Sequence, residues 1–277
     1  MVKNKYYQLI WLCKKIIKKL FKRQKFIFKT EPKNTVEEHL SEKNPTTQVM
    51  DISGNDYRYF LFQDLVKNYG KTYFENKKIL EIGPRDGEDT LRLDTLKPSH
   101  ISLIDLPIIQ DETHHSNYYW EKYVKEKLKK LKTPYDFFFN NFHYMSNKEL
   151  TDLGKFDLIW FTGILYHNPE QLRLLKKIFK LLNNGGVVVI ETATSRNWKI
   201  SNQTVIEIVA DGQYHFPTKK ALLQMLKMVG FSEVLISNCY DYENYNKKNI
   251  RLALTARKLS SDTDGKYRHI YNYGEAT

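Results

Sequence analysis

The sequence predicts an α/β protein: a doubly wound, mostly parallel sheet with an antiparallel C-terminal edge, preceded by an amphipathic N-terminal helix. Three observations carry this. Short, almost wholly apolar runs recur from residue 78 to residue 191, segments with helical periodicity separate several of them, and two further strand-like runs near the C-terminus are joined by a polar loop. Continuous apolar strands alternating with helices suit a parallel sheet that is covered on both faces.

At the N-terminus, Leu9, Cys13, Ile16, Ile17, Leu20 and Phe21 recur at three- and four-residue spacing, and lysines or Arg23 fill the positions between them. This is the pattern of a helix with one apolar and one cationic face. Residues 1–30 contain ten of the 44 Lys and Arg and no Asp or Glu, leaving 34 basic against 32 acidic residues in the remainder. The net charge of +12 therefore belongs almost entirely to the extension, and partners must be inferred for each part separately. Residues 6–13 are uncharged but too few to span a bilayer, and no small-residue cleavage site follows, so neither a transmembrane helix nor a cleaved signal is expected. Two occupants suit the basic helix, an anionic membrane surface or a protein groove on this chain or a partner.

Residues 30–48 are polar, contain Pro32 and Pro45, and read as a linker. The organisation expected is a basic helix and linker over 1–50, a catalytic domain over 51–260 and a polar tail over 261–277. Within the domain a helix is expected from residue 57, ending at Gly70. Strands are expected at 78–82, 101–105, 137–139, 156–161 and 187–191. Helices are expected at 170–182, with Leu172, Leu175, Ile178, Phe179 and Leu182 on one face, and at 219–229. Strands at 234–236 and 251–254 would close the far edge. The two cysteines, Cys13 and Cys239, stand in no disulfide or ligand pattern, which fits a reducing, cytoplasmic compartment. No His/Asp/Glu cluster has metal-ligand spacing, so no metal is expected.

The most informative segment is Ile79-Leu80-Glu81-Ile82-Gly83-Pro84-Arg85-Asp86-Gly87, a glycine-rich turn directly after the first strand. Gly83 and Gly87 permit close approach of backbone to a ligand at the carboxyl end of the sheet. Their spacing is G-x-x-x-G, not the G-x-G-x-x-G of dinucleotide sites. Asp105 ends the second strand about 20 residues later, the interval at which a ribose-binding carboxylate is expected.

Together these segments resemble class I, Rossmann-like methyltransferases that use S-adenosyl-L-methionine. Residues 80–87 resemble their motif I, Ile104-Asp105 their second-strand acidic position, and residues 156–167 (FDLIWFTGILYH) a fourth-strand motif ending in G-x-L-Y-H. Residues 184–192 (NGGVVVIET) resemble the turn and fifth strand that follow. The last two are most similar to the branch that contains the tRNA wobble-uridine carboxymethyltransferases and many small-molecule methyltransferases. The resemblance implies that Glu81, Gly83, Pro84 and Gly87 surround the methionine part of the cofactor, Asp105 holds the ribose, Tyr144, Met145 and Ser146 flank the adenine, and Gly163 and Leu165 floor the site. Tyr166 and His167 would lie where the methyl group emerges. His167 serves there either as general base, its pKa being near neutrality, or as a structural histidine. His215 reads as structural, ahead of a helix capped by Thr218.

Three functions follow. The first is methylation of a small-molecule or saccharide hydroxyl, with Arg196, Trp198 and Tyr214 in the segment 193–216 binding the substrate. The second is modification of RNA, helped by Lys122, Lys125, Lys127, Lys129, Lys130 and Lys132 but opposed by the balanced charge of the domain. The third is a non-catalytic cofactor-binding or scaffold module.

Overall fold

A computed structural model describes residues 57–106, 123–195, 197–212, 214–237 and 251–259. Helix α1 (Tyr57–Tyr69) precedes strand β1 (Lys78–Ile82), α2 (Glu88–Asp94), β2 (His100–Asp105), α3 (Lys125–Leu128), β3 (Tyr135–Phe139), α4 (Asn147–Leu153) and β4 (Phe156–Thr162). A single 3-10 turn (Leu165–His167) leads to α5 (Gln171–Leu181), β5 (Leu182–Ala193), β6 (Ile206–Val209), β7 (Tyr214–Pro217), α6 (Lys219–Val229), β8 (Ser232–Ile236) and β9 (Arg251–Arg257).

Seven strands form one sheet in the order β3-β2-β1-β4-β5-β9-β8. The first five are parallel, β9 runs antiparallel to β5, and β8 antiparallel to β9. Winding goes from β1 outward to β3 and then returns to place β4 on the other side of β1. The carboxyl ends of β1 and β4 thus form the switch point where such sheets bind ligands.

Strand alternation sorts the apolar runs into two cores. Leu80, Ile82, Ile159, Phe161, Val188 and Ile190 pack on one face with Leu174 and Ile178 of α5 and Leu222 and Leu226 of α6. Ile79, Leu158, Trp160, Val187 and Val189 pack on the other with Leu61 and Leu65 of α1 and Leu93 of α2. A core on both faces explains why these strands read as unbroken apolar runs rather than alternating ones. A buried lysine finishes α5. Lys258 donates to the carbonyls of Phe179 (3.0 Å) and Leu182 (2.8 Å) at its C-terminus. Lys177, in the middle of α5, is also buried and donates to the loop between β3 and α4.

Several elements differ from the sequence expectation. β5 begins at Leu182, directly after α5, because the turn at Asn184-Gly185-Gly186 stays within the strand. α2 and α4 have seven residues each, too few to show a helical period, although the start of α4 is marked by a capping box between Ser146 and Glu149. Segment 193–216 contains all but the last residue of an antiparallel hairpin, β6 with β7, where no regular structure was expected. Thr218 caps α6 as expected, accepting from the Ala221 amide. The basic N-terminal helix, the linker, the C-terminal tail and both cysteines lie outside the described residues. Among the described residues no helix is long and apolar enough to cross a membrane.

Candidate active site

At the switch point a cavity of about 540 Å³ is lined by Gly83, Asp105, Asn141, His143, Tyr144 and His167, among others. Gly83 ends β1 with φ +71, in the left-handed region, and its amide donates to the Ile104 carbonyl at 2.8 Å. An L side chain would be strained there, and its Cβ would come within 2.8 Å of the Ile164 side chain across the cavity mouth. Asp105 closes β2. Burial raises its pKa, and the Leu106 amide, donating to Oδ1 at 2.8 Å, pulls it back down. A carboxylate held at a cavity wall with one oxygen already bonded leaves the other free to accept from a ligand hydroxyl.

The rest of motif I faces elsewhere. Glu81 is fully buried on the opposite face of β1, where Thr90 Oγ1 donates to it at 2.6 Å; desolvation, and then the charge of Asp89, push its pKa up to about 8. Asp89 is the hub of that layer, accepting from Arg58 (3.3 Å), Arg92 (2.7 Å) and the Trp160 indole (3.0 Å), and so it ties α1, α2 and β4 together beneath the glycine turn. Pro84 accepts the turn bond from the Gly87 amide at 2.8 Å. Gly87, φ +75, starts α2 and lies against the side chain of Lys127 rather than in the cavity.

After β3 it is residues 140–144, not Met145 and Ser146, that line the cavity. Met145 belongs to the core and borders a separate cleft, and the Ser146 hydroxyl is occupied in capping α4. The displacement has a simple cause: the capping box must sit at the helix start, so the wall falls to the loop before it. Nothing in the sequence marked Asn140, Asn141 or His143 beyond their position after an apolar run.

Gly163 turns the chain out of β4 with φ +74, its amide donating to the Glu191 carbonyl. Leu165 is fully buried in the core beneath the site. Tyr166 and His167 follow with ring centroids 4.0 Å apart. The hairpin brings Tyr214 to 5.3 Å from His167 and 6.0 Å from Tyr166, and Phe216 to 5.9 Å from Tyr166. Tyr214 and Phe216 are themselves stacked, with an interplanar angle of 14°. Arg251, at the start of β9, places its guanidinium 5.3 Å from the centre of the Tyr166 ring and is fixed by two bonds to buried Glu191. The sequence singles out Tyr166, His167 and Tyr214 of this cluster but not Phe216, which the β6–β7 hairpin adds, nor Glu191 and Arg251, which the pairing of β5 with β9 brings together. Desolvation, and then the Arg251 charge, hold His167 below the usual imidazole range.

Trp198 stands 78% exposed beside Lys199, away from these rings, and Arg196 lies outside the described residues. The His215 backbone carbonyl accepts from Gln171 at 2.6 Å. Lys127 pairs with Glu88 and Lys129 with Glu126, so part of the lysine run is neutralised locally. Among the described residues no group of His, Cys, Asp and Glu could hold a metal ion.

A glycine turn and a strand-end carboxylate thus meet at one cavity at the switch point, where open α/β sheets bind their ligands. A family model described as "Methyltransferase domain" matches residues 54–235, and the chain belongs to that family, whose class I members use S-adenosylmethionine. Among curated proteins it is similar to the tRNA U34 carboxymethyltransferases of Nautilia profundicola and Wolinella succinogenes. The first is 26% identical over 189 residues, which cover 65% of this chain and 55% of the relative; the second is 25% identical over 163 residues, covering 57% and 53%. The chain thus spans about half the length of these relatives. Among solved structures it is similar in fold to a putative S-adenosylmethionine dependent methyltransferase from Listeria monocytogenes (TM-score 0.51, 13% identity, 72% of this chain and 99% of that one). A similar likeness holds for the (4+2)-cyclase SpnF (TM-score 0.50, 16% identity, 74% and 85%). Their names differ in chemistry, so the shared fold does not choose the reaction.

Proposed function

We propose that residues 51–260 form an S-adenosylmethionine-dependent methyltransferase domain acting on the hydroxyl of a small molecule or saccharide. The observation that carries this is the convergence of Gly83, Asp105 and His167 on one cavity at the switch point of the sheet. A bound S-adenosylmethionine supplies a methyl group on a sulfonium, already activated, so the protein's task is chiefly to align the acceptor.

Asp105 accepts hydrogen bonds from ribose hydroxyls, and the turn at Gly83 admits the ligand close to backbone. Tyr166, Tyr214 and Phe216 offer ring faces on which an acceptor ring stacks. His167 stays neutral at neutral pH because its pKa is lowered, and so takes the acceptor's proton as its oxygen attacks. The even charge of residues 31–277 supports a small acceptor over a polyanion.

A second reading, carboxymethyl transfer to RNA, is supported by the names of the curated relatives and by Arg251 beside Tyr166, since a carboxylated donor group needs a cation near the transferred carbon. The basic segment 1–29 suits an anionic membrane surface in either reading.

Calorimetry with S-adenosylhomocysteine tests the cofactor assignment. Asp105→Ala should lower its affinity by a factor of about 10–100 through loss of the ribose acceptor; unchanged affinity would remove Asp105 from the site. Transfer of labelled methyl to hydroxylated sugars but not to tRNA is the outcome that separates the two acceptors.

A further inference from the structure

Lys177 sits on α5 at the margin of its apolar face and is 8% exposed. Burying an ammonium is costly unless all its protons are used. Here they meet three backbone carbonyls, those of His143, Met145 (2.8 Å) and Phe142 (3.4 Å). Among the described residues no carboxylate is within ion-pair distance of Lys177, and desolvation, then the charge of Arg173, lower its pKa. The ammonium is thus held by peptide dipoles of one loop, and that loop is wrapped around it.

Residues 140–144 of the same loop are the cavity wall opposite Gly83. The carbonyls of Phe142, His143 and Met145 turn to Lys177, while Asn141, His143 and Tyr144 line the cavity. A second set of contacts fixes the outer side: His143 Nδ1 lies 2.6 Å from Asn168 Nδ2, its Nε2 3.4 Å from Glu170, and the Asn140 amide donates to the Asp105 carbonyl at 2.8 Å. From these contacts we infer that Lys177 is a positioning residue for the cofactor, setting the shape of the wall that receives the adenosine half without touching the ligand. This rests on reading the cavity as the cofactor site. A lysine in the middle of a helix, with no motif around it, is otherwise a solvated side chain, which is why the sequence does not mark it.

Lys258 provides a matched control, because it is also a buried lysine donating to carbonyls, at the far end of α5 and away from the cavity. The experiment is calorimetry of S-adenosylhomocysteine and of adenosine with the wild-type chain, Lys177→Met and Lys258→Met, at a temperature well below each melting point. The expected result is a fall in melting temperature for both variants. Only Lys177→Met should weaken both ligands, by a common factor of roughly tenfold or more, as expected when three carbonyls lose their partner and the loop relaxes. If Lys177→Met does not fold, Lys177→Gln, which keeps amide donors on a shorter stem, should still weaken both ligands several-fold relative to Lys258→Met. Equal affinity in the Lys177 variants and in Lys258→Met would overturn the positioning role. Absence of binding by the wild-type chain would instead overturn the cofactor reading itself.

Discussion

Glu81 shows how far a single residue can be from what its motif suggests. It stands in the most recognisable segment of the chain, yet its carboxyl is buried with Thr90 as donor and Asp89 nearby, and its pKa is raised to about 8. In the unfolded chain a glutamate titrates near 4.5. The folded state therefore holds a proton that the unfolded state releases between these values, and the stability this group contributes is present below pH 4.5 and declines as pH rises towards 8. Glu81→Gln keeps an oxygen for Thr90 and removes the ionisation. Denaturation of the variant should lack the wild-type decline over that range, with a gain of order a few kcal/mol at the alkaline end. Parallel pH profiles for the two proteins would show that Glu81 is ionised in the fold. His167 lies on the other side of the same sheet, and there the same physical effect, desolvation, acts in the opposite direction, keeping a base uncharged.

At the scale of elements, the N-terminus of α5 joins the two segments that carry the ring cluster of Tyr166, His167, Tyr214 and Phe216. Gln171 is 1% exposed, and its Nε2 donates to the Leu165 carbonyl (3.2 Å) just before Tyr166 and to the His215 carbonyl (2.6 Å) between Tyr214 and Phe216. One amide thereby sets the spacing between the 3-10 turn and β7. Replacing it with leucine preserves volume but takes this donor from the His215 carbonyl, while the Leu165 carbonyl keeps its bond from the Asn168 amide at 3.1 Å. We expect Gln171→Leu to cost about 1–3 kcal/mol in urea unfolding, with no change in S-adenosylhomocysteine affinity, because no part of the cavity wall at residues 140–144 depends on it. A neutral effect on stability would mean that water or rearranged backbone satisfies the His215 carbonyl. Neither the bond nor the hairpin was legible beforehand. A glutamine at a helix start is ordinary, and β6 and β7 have only four residues each.

For the molecule as a whole, charge divides where organisation does. The cationic segment 1–29 and the nearly neutral domain predict different behaviour for the full chain and for a chain beginning near residue 50. In vesicle sedimentation the full chain should bind anionic vesicles and lose them as salt rises, each Lys or Arg near the surface adding about 1 kcal/mol, while the shortened chain should not bind. Equal binding to neutral vesicles, or binding that survives the deletion, would refute electrostatic docking.

The main sheet, mostly parallel with an antiparallel C-terminal edge, could be read from residue order alone. Strands covered on both faces must be apolar throughout, and glycines at the switch point need backbone conformations that other residues resist, so Gly83 and Asp105 stand out without coordinates. What the tertiary structure alone decided are the contacts between segments distant in sequence. Arg251 meets Glu191 and Tyr166 only because β9 pairs with β5. The cavity wall falls on residues 140–144 rather than on Met145 and Ser146 because a helix cap claims the serine. Lys177 joins the site only because α5 lies against that loop. Local sequence encodes conformational preference and burial; the partner of a buried charge is fixed only when the chain has packed.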